Sequence, residues 1–296
     1  MRQQAKATIL ALTTVLIWST VASAFKLSLR LLTVQELLLY SSACSVVVLG
    51  LVIAAQGRLR QLAHISGRDV WLSAGLGFLN PFAYYCVLFQ AYDLLPAQEA
   101  QPLNYTWAIT LSLLSVPLLK QPLRLIDLCA LAVSYSGVYV ISTRGDLWSL
   151  EFSNPLGVGL ALGSTIIWAL YWILNTRDAL DPACRLFLNF IFGTLFVGAA
   201  LALTQGFSVP PLKGLLGALY VGALEMGITF VLWSMALKLS QSAAQVSIFI
   251  YLSPFLSLVF IHFLVGETIL PSTFVGLILI VIGIGGQQAA RLLRAG

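Results

Sequence analysis

The sequence predicts an all-α polytopic membrane protein with ten transmembrane helices, arranged as two inverted five-helix repeats. Composition, the number of apolar stretches and a match between the two halves of the chain support this fold class. Of its 296 residues, 59% are apolar and 9% are charged, whereas about 25% are charged in a typical soluble domain. A soluble fold of this length cannot bury so much apolar surface, which favours lipid as the solvent.

The second observation is the number of apolar stretches. A hydrocarbon core about 30 Å thick needs roughly 20 apolar residues in each crossing helix. The chain contains ten such stretches with short connections between them, so no separate soluble domain is predicted. The predicted spans are 8–29, 35–55, 70–92, 98–119, 125–142, 156–176, 183–204, 214–237, 241–264 and 272–290.

The third observation is an internal repeat that relates residues 1–150 to residues 151–296. The segment that ends at Trp18 aligns with the one that ends at Trp168, and Asn80 aligns with Glu225. Because each half has an odd number of spans, the second half must enter the membrane in the opposite orientation. Inverted repeats are typical of secondary transporters, whose substrate binds near the bilayer midplane between the halves.

The basic residues predict the orientation in the membrane. With the N-terminus in the cytoplasm, 12 of the 16 lysines and arginines fall in cytoplasmic loops, Arg185 among them. This bias follows the positive-inside rule and places both termini in the cytoplasm. The net charge of +5 therefore sets topology, and no nucleic-acid partner is predicted. The four basic residues on the opposite side are Lys26, Arg30, Arg144 and Lys213.

Short motifs at the repeat positions resemble a known family. Residues 91–97 and 101–107 resemble the third-to-fourth helix segment of EamA-type members of the drug/metabolite transporter superfamily. Residues 245–267 resemble the matching segment of the second half. Residues 104–107 are most like the YddG-type exporters of aromatic amino acids within that superfamily.

The resemblance implies a secondary transporter of the bacterial inner (plasma) membrane. Such a protein exports amino acids, aromatic ones foremost, or related small metabolites by alternating access through a central cavity. Two departures from the family pattern bear on the substrate subgroup. Ala108 stands where the family usually has proline, and residues 39–42 lack the arginine that is common in the second helix.

One acidic residue is predicted to lie deep in the membrane. Ten of the 11 acids lie at span ends or in loops, whereas Glu225 lies about halfway along the eighth span. A charge at the bilayer centre costs about 2.5–3.5 kcal/mol on insertion scales, so such residues are usually functional. Glu225 is predicted to contact the ammonium group of a substrate or to take up a proton. The alternative is a protonated glutamic acid bonded to a neighbouring helix.

Polar side chains follow helical spacing and form a stripe on the third, fourth and ninth predicted spans. On the fourth span, 98–119, the stripe includes Ser112 and Ser115. Because lipid offers no hydrogen bonds, such a stripe faces a cavity or another helix. Amide and phenol groups together favour the cavity. The predicted lining residues are Asn80, Tyr84, Gln101, Tyr105, Glu225 and Tyr251.

The tryptophans divide into two groups. Trp18, Trp107 and Trp168 lie deep, where they form aromatic walls for a flat or amphipathic organic solute or simply pack in the core. The other group is predicted to form an aromatic belt near the span ends. Its members are Trp71, Trp148, Trp172 and Trp233.

Small and basic residues have packing roles in this prediction. Gly159, Gly163 and Gly222 are expected at close helix contacts, and the four isolated cysteines are expected to be small buried side chains. Lys26 either extends its ammonium group to the interface or attracts the carboxylate of a departing substrate.

Other classes of function are not favoured. His64 and His262 lack an acidic or metal-ligating partner at useful spacing, and no glycine-rich phosphate loop is present. The sequence therefore predicts no enzyme, no catalytic residue, no metal site and no cofactor. Its predicted partners are a small-molecule substrate and the lipid bilayer. Among transporters, the main alternative is a multidrug or organic-cation exporter, favoured by Glu225 beside aromatic walls.

Overall fold

The computed structural model describes residues 2–62, 64–120, 125–148, 152–175, 180–240 and 248–295. Nearly all of these residues are helical, and no strand occurs among them. The helices are α1 (Arg2–Leu29), α2 (Val34–Ala55), α3 (Gly67–Leu94), α4 (Ala97–Tyr105), α5 (Trp107–Leu119), α6 (Leu125–Ser142), α7 (Pro155–Asn175), α8 (Pro182–Thr204), α9 (Leu212–Leu239), α10 (Phe249–Val265) and α11 (Pro271–Ala295). A single helical turn, Leu59–Leu62, lies between α2 and α3.

Eight helices of the described chain are long and apolar enough to cross a membrane, namely α1, α2, α3, α6, α7, α8, α9 and α11. Eight of the predicted spans are thereby confirmed as apolar helices of sufficient length. Helix α6 has the predicted bounds, 125–142, whereas α1 begins six residues before predicted residue 8 and α11 extends five beyond predicted residue 290.

The predicted span 98–119 is not one helix. It is divided into α4 and α5 at Thr106, whose N–H bonds to the carbonyl of Leu103 three residues back. The Thr106 hydroxyl donates to the same carbonyl at 2.7 Å, so a side chain competes with the regular helical bond. For the predicted span 241–264, residues 241–247 lie outside the described residues, and α10 combines 3₁₀, α and π turns. Ten crossings therefore remain a prediction.

Capping residues fix where several helices begin and end. Thr33 and Glu36 form a capping box at the start of α2, and Ser66 and Asp69 form another at the start of α3. At the end of α10, Gly266 has a φ of 83°, a left-handed conformation that stops the helix at little cost only for glycine. Local sequence thus determines these helix ends, which lie outside the apolar stretches.

Contacts between helices occur in matched sets. Helix α1 packs against α9 and α10, and α7 packs against α3 and α5. Helix α2 packs against α9, and α8 packs against α3. The remaining major contacts pair α2 with α8 and α6 with α11. Exchanging residues 1–150 with residues 151–296 interconverts the contacts of α1 with those of α7 and the α2–α9 contact with the α8–α3 contact, and it leaves the α2–α8 and α6–α11 contacts unchanged.

Glycines allow the closest of these crossings. A Cβ atom at Gly77 would lie 2.4 Å from the carbonyl oxygen of Asn189, and one at Gly222 would lie 2.2 Å from that of Ser41. The prediction of close packing at Gly222 is therefore confirmed. It is wrong for Gly159 and Gly163, where no described atom lies within 4 Å of such a Cβ. Small residues at helical spacing thus mark a contact only where another helix actually crosses.

The helices end at two opposite surfaces of the bundle, here called the Glu267 face and the Arg185 face. The Glu267 face carries the described connecting residues 30–33, 95–96, 143–148, 152–154, 205–211 and 266–270. The Arg185 face carries the opposite ends of the helices, where α3 and α8 begin.

Arg185 was expected in a loop but lies in the first turn of α8, only 1% exposed. Its guanidinium donates to the Asp69 carboxylate at 2.9 Å, to the Asp69 carbonyl at 2.8 Å and to the Ser73 hydroxyl at 2.6 Å. A buried guanidinium is stable only when it is paired and hydrogen-bonded in this way. The cysteine prediction also needs correction, because Cys129 is exposed beside Leu128 on α6.

Candidate functional site

Asn80 and Glu225 each lie halfway along an apolar helix, where regular α-helical winding is interrupted. In Phe78–Ala83 of α3, Asn80 leaves the helical backbone with φ −144° and ψ 118°, because the ring of Pro81 disfavours helical backbone at the residue before it. Glu225 belongs to Val221–Ile228 of α9, which is wound as a π-helix. Since π-helical turns and departures from helical backbone are both frequent at functional sites, both segments are candidates for a central site.

The π-helical segment of α9 is stabilised from within. The hydroxyl of Thr229 lies 2.6 Å from the carbonyl oxygen of Leu224 and 2.9 Å from that of Glu225, and it donates its proton to this pair. Wider winding frees carbonyl groups that lipid cannot satisfy, so a buried hydroxyl at this position supports the segment. Thr229 is fully buried, and sequence spacing alone gave no sign of this role.

The carboxyl group of Glu225 has one partner and one open oxygen. The hydroxyl of Tyr85, on α3, donates to Oε1 over 3.5 Å. Oε2 is buried and has no hydrogen-bond partner among the described residues. Glu225 also interacts electrostatically with Tyr84, Tyr92 and Tyr105. A carboxyl group at this depth, surrounded by phenols and with an unused acceptor, is suited to binding a donor or a cation.

Aromatic rings from α3 and α7 form a continuous group, here called the Trp168 cluster, which consists of Tyr84, Tyr85, Trp168, Tyr171 and Trp172. The ring centroids of Trp168 and Tyr84 are 4.6 Å apart, with planes inclined by 31°. Those of Tyr84 and Tyr85 are 4.8 Å apart. Trp168 also contacts Tyr171 and Trp172 at 5.9 Å and 5.8 Å. Because Tyr85 belongs to the cluster, its hydroxyl connects this aromatic group to Glu225.

A polar chain fixes the edge of the Trp168 cluster. The Tyr84 hydroxyl donates to Asn104 Oδ1 over 3.4 Å, and Asn104 Nδ2 donates to the hydroxyl of Ser164 at 3.0 Å. Asn104 therefore joins α3, α4 and α7 at the aromatic group. Sequence reasoning did not select it as a lining residue, although it precedes Tyr105, which was selected.

Sequence reasoning did not select Tyr171 and Trp172 as members of the site, although their spacing indicates that they belong to it. Tyr171 and Trp172 follow Trp168 by three and four residues, a spacing that places all three on one helix face. Trp172 was assigned instead to the aromatic belt, but it packs on Trp168 and its indole nitrogen is buried. Trp233 likewise packs inside, against Trp18.

The other predicted lining residues have different neighbours, and the described contacts do not join all of them to the Trp168 cluster. Trp18 contacts Trp233 at 5.5 Å, and the recorded ring contacts do not connect it to the Trp168 cluster. Trp107 begins α5, where the described residues show no ring contact for it. Gln101 and Tyr251 each have a buried polar atom without a partner in the described chain, as Asn80 does.

The predicted polar stripe of the fourth span serves two purposes. Tyr105 interacts with the hydroxyl of Ser253 on α10, on the side that leads to Glu225. Ser112 instead accepts a hydrogen bond from Gln287 of α11, whose amide also donates to Asp127 at 2.6 Å. The division of α4 from α5 therefore separates a part of the stripe that faces the site from a part that packs against helices.

A dense polar network covers the Glu267 face. The carboxylate of Glu267 accepts hydrogen bonds from the N–H groups of Ala97 and Gln98, at 2.7 Å and 3.1 Å. These two N–H groups lie at the N-terminus of α4, where the helix itself provides no acceptor for them. The Gln98 side chain donates to the carbonyl of Thr268 and accepts the N–H of Leu270. These bonds join the first half of the chain to the second.

Two further contacts reinforce the same face. Lys26 donates to the carbonyls of Tyr92 and Leu95, at the end of α3, over 2.6 Å and 2.8 Å. Its ammonium group is therefore held by backbone carbonyls at the end of α3, and attraction of a substrate carboxylate stays a prediction. Glu99, 1% exposed, accepts a hydrogen bond from Arg144 at 2.9 Å.

Comparison with known proteins agrees with the helical architecture. The EamA-like transporter family model matches residues 5–143 and again residues 155–286. A solved crystal structure covers 98% of this chain and 99% of its own with a TM-score of 0.68, and at 23% identity this likeness shows the fold alone.

Individual relatives carry transporter names. An uncharacterized transporter of Archaeoglobus fulgidus is 27% identical over 70% of this chain and 72% of its own length. The aromatic amino acid exporter YddG of Ancylobacter novellus is 25% identical over 79% of this chain and 80% of its own. EamA family members are transporters and not enzymes. With both halves matched and eight apolar helices able to cross a membrane, the chain belongs to the EamA-like transporter family of the drug/metabolite transporter superfamily.

Proposed function

We propose that this chain is a secondary transporter that exports aromatic amino acids, or related small metabolites, by alternating access. The observation that carries the proposal is the open oxygen of Glu225 next to the Trp168 cluster. A carboxylate suits the ammonium group of an amino acid, and stacked rings suit a flat aromatic side chain. Glu225 lies midway along α9, the depth at which secondary transporters bind substrate, and Tyr85 connects it to the cluster.

The named relatives support the same substrate class. The exporter from Ancylobacter novellus is described as acting on aromatic amino acids, and it aligns with four fifths of this chain. At 25% identity this relationship supports an aromatic amino acid as the substrate of this chain. The independent support from this chain is the concentration of phenol and indole rings around a single carboxyl group.

Alternating access follows in this proposal from two inverted five-helix halves. The matched helix contacts support it, as do the kink at Asn80 and the π-helical segment at Glu225, which interrupt α3 and α9 at equivalent positions. In the proposed orientation both termini lie in the cytoplasm of a bacterial cell, and the Glu267 face is turned outward. Substrate then binds between the halves, and rocking of one half against the other exposes it to alternate sides.

The Glu267 face is closed in this arrangement. Glu267 and Gln98 bind across the two halves through several hydrogen bonds, two of them charge-assisted at 2.7 Å and 3.1 Å. Opening toward this side requires those bonds to break, so we assign Glu267 and Gln98 to a gate. Release to the outside then follows the separation of α4 from the connection at 266–270.

A multidrug or organic-cation exporter is the alternative function. It is favoured by the same carboxyl group, because a delocalised cation also pairs with Glu225 and stacks on rings. What separates the two is the size and chemistry of the preferred substrate, which transport measurements determine directly.

Counterflow in proteoliposomes distinguishes these functions. Vesicles loaded with unlabelled tryptophan are diluted into labelled tryptophan or phenylalanine, and a parallel set is tested with a cationic dye. The proposal predicts accumulation of the labelled amino acid that protein-free vesicles do not show. Exchange of the dye without exchange of any amino acid would establish the alternative.

A further inference from the structure

Four predicted lining residues have a buried polar atom with no hydrogen-bond partner in the described chain. These atoms are Asn80 Oδ1, Gln101 Oε1, Glu225 Oε2 and Tyr251 Oη. Asn80 and Gln101 are at least nine-tenths buried. Buried polar groups in folded proteins are nearly always hydrogen-bonded, so the open oxygen of Glu225, beside the Trp168 cluster, indicates an absent partner. An ionised carboxyl oxygen can only accept, which makes that partner a donor.

The only formal charge in this set is negative. Ion pairs within the described residues are limited to three, and none of them includes Glu225. They are Arg58–Asp181, Arg144–Glu99 and Arg185–Asp69. Lys26, the basic residue of α1 nearest the Glu267 face, is bound to backbone carbonyls. Among the described residues that interact with Glu225 there is thus no basic side chain for a substrate carboxylate, whereas Glu225 itself is an ionic partner for a substrate cation.

We infer that the site recognises the protonated amine of an aromatic substrate and does not require its carboxylate, so that aromatic amines without a carboxylate are also carried. This inference rests on the proposed function and specifies which end of the substrate is recognised. Glu225 Oε2 accepts an N–H of the ammonium group, while the aromatic ring stacks on the Trp168 cluster. An anion that lacks the amine would instead place a second negative charge beside Glu225, which is unfavourable.

Amino acids remain substrates under this inference because a side-chain amide can either accept or donate a hydrogen bond, depending on its rotation. Rotation of the Asn80 or Gln101 side-chain amide by 180° presents an NH₂ group in place of an oxygen. Either amide then donates to a carboxylate without adding charge. The amine is therefore a requirement of the site, and the carboxylate is a feature that the site tolerates.

Competition in the counterflow assay tests this without any mutation. Labelled tryptophan exchange is measured against unlabelled tryptophan, tryptamine and indole-3-propionate, which share the indole ring. Tryptamine is expected to compete nearly as well as tryptophan. Indole-3-propionate is expected to be at least about tenfold weaker, because it cannot make the charged hydrogen bond. Equal competition by the two analogues, or stronger competition by indole-3-propionate, would overturn the inference.

A variant of the same shape tests whether the preference for the amine depends on the carboxyl group of Glu225. Glu225→Gln keeps the shape but removes the charge, so the preference for tryptamine over indole-3-propionate should disappear. The control is Glu36→Gln, an acid-to-amide change at the Glu267 face that retains a side chain suited to the capping box. Glu36→Gln should keep the preference, and a Glu225→Gln protein that also keeps it would refute the role of this carboxyl group.

Failure of the inference is distinguishable from failure of the proposed function. If tryptophan exchanges but tryptamine neither competes nor exchanges, the function stands and the inference is wrong. If labelled tryptamine exchanges while no amino acid does, the inference stands and the proposed substrate class is wrong. Absence of exchange for both compounds would reject both.

Discussion

Replacement of Gly222 by alanine tests the closest crossing between the two halves. A methyl group at this position would lie 2.2 Å from the carbonyl oxygen of Ser41 and 2.7 Å from the Cβ of Cys44. Carbon and oxygen normally approach no closer than about 3.3 Å, so α2 and α9 must separate by about 1 Å. A backbone carbonyl cannot rotate away as a flexible side chain can, so the helices themselves must move.

The cost of this movement follows from the contacts that it disturbs. A gap of about 0.5–1 Å forfeits a quarter to a half of the dispersion energy of the facing atoms. The hydrogen bond from the Ser45 hydroxyl to the Met226 carbonyl, 2.8 Å long, joins the same two helices and is stretched as well. Overpacking of this kind typically costs about 1–3 kcal/mol, and the added hydrogen-bond strain places Gly222→Ala in the upper half of that range.

Unfolding by SDS in mixed micelles measures the free energy of unfolding of the variants. Gly163→Ala is the matched control, because no described atom lies within 4 Å of the added methyl group. It should be neutral or should stabilise the protein by up to about 1 kcal/mol through helix propensity. Gly77→Ala, which meets the Asn189 carbonyl at 2.4 Å, should behave like Gly222→Ala. Equal stability of the Gly222 and Gly163 variants would refute the packing argument.

Three further predictions concern polar groups. Glu267→Ala should accelerate amide hydrogen exchange at Gln98, because its N–H loses the carboxylate acceptor; unchanged protection would contradict the gate contact. Arg185→Ala should lower the free energy of unfolding by about 1–3 kcal/mol, since the buried Ser73 hydroxyl and the Asp69 carbonyl lose their donor, and unchanged stability would be inconsistent with those bonds. Glu225→Gln should abolish any response of transport to a pH gradient if proton coupling runs through this carboxyl group, whereas undiminished pH-driven flux would remove that role.

The sequence predicted most of the helices because apolar length is a local property. It failed where a local detail or a distant partner decides the outcome. The break at Thr106 comes from a hydroxyl that bonds to the Leu103 carbonyl, within a stretch that is apolar enough for one helix. The burial of Arg185 depends on Asp69, 116 positions earlier in the chain, which no pattern around Arg185 indicates.

In the candidate site too, features set by local sequence were predicted and contacts between distant residues were not. Alignment of the two halves paired Asn80 with Glu225, and both lie where the α-helical winding of an apolar helix is interrupted. The contact of Tyr85 with Glu225 spans 140 positions and arises only from the folded bundle, so it was not predicted. Trp172 was recoverable from its spacing to Trp168 but was assigned to the membrane interface because it lies near a span end.

The central claim is that substrate passes beside the Trp168 cluster, and counterflow of labelled tryptophan by Trp168→Ala tests it most directly. Trp148→Ala is the control, since the Trp148 side chain is 95% exposed. Loss of the stacking surface should raise the half-saturating tryptophan concentration of Trp168→Ala by roughly two- to tenfold, equivalent to about 0.5–1.5 kcal/mol, while Trp148→Ala matches the unmodified protein. Identical half-saturating concentrations for both variants, with both correctly folded, would contradict the account.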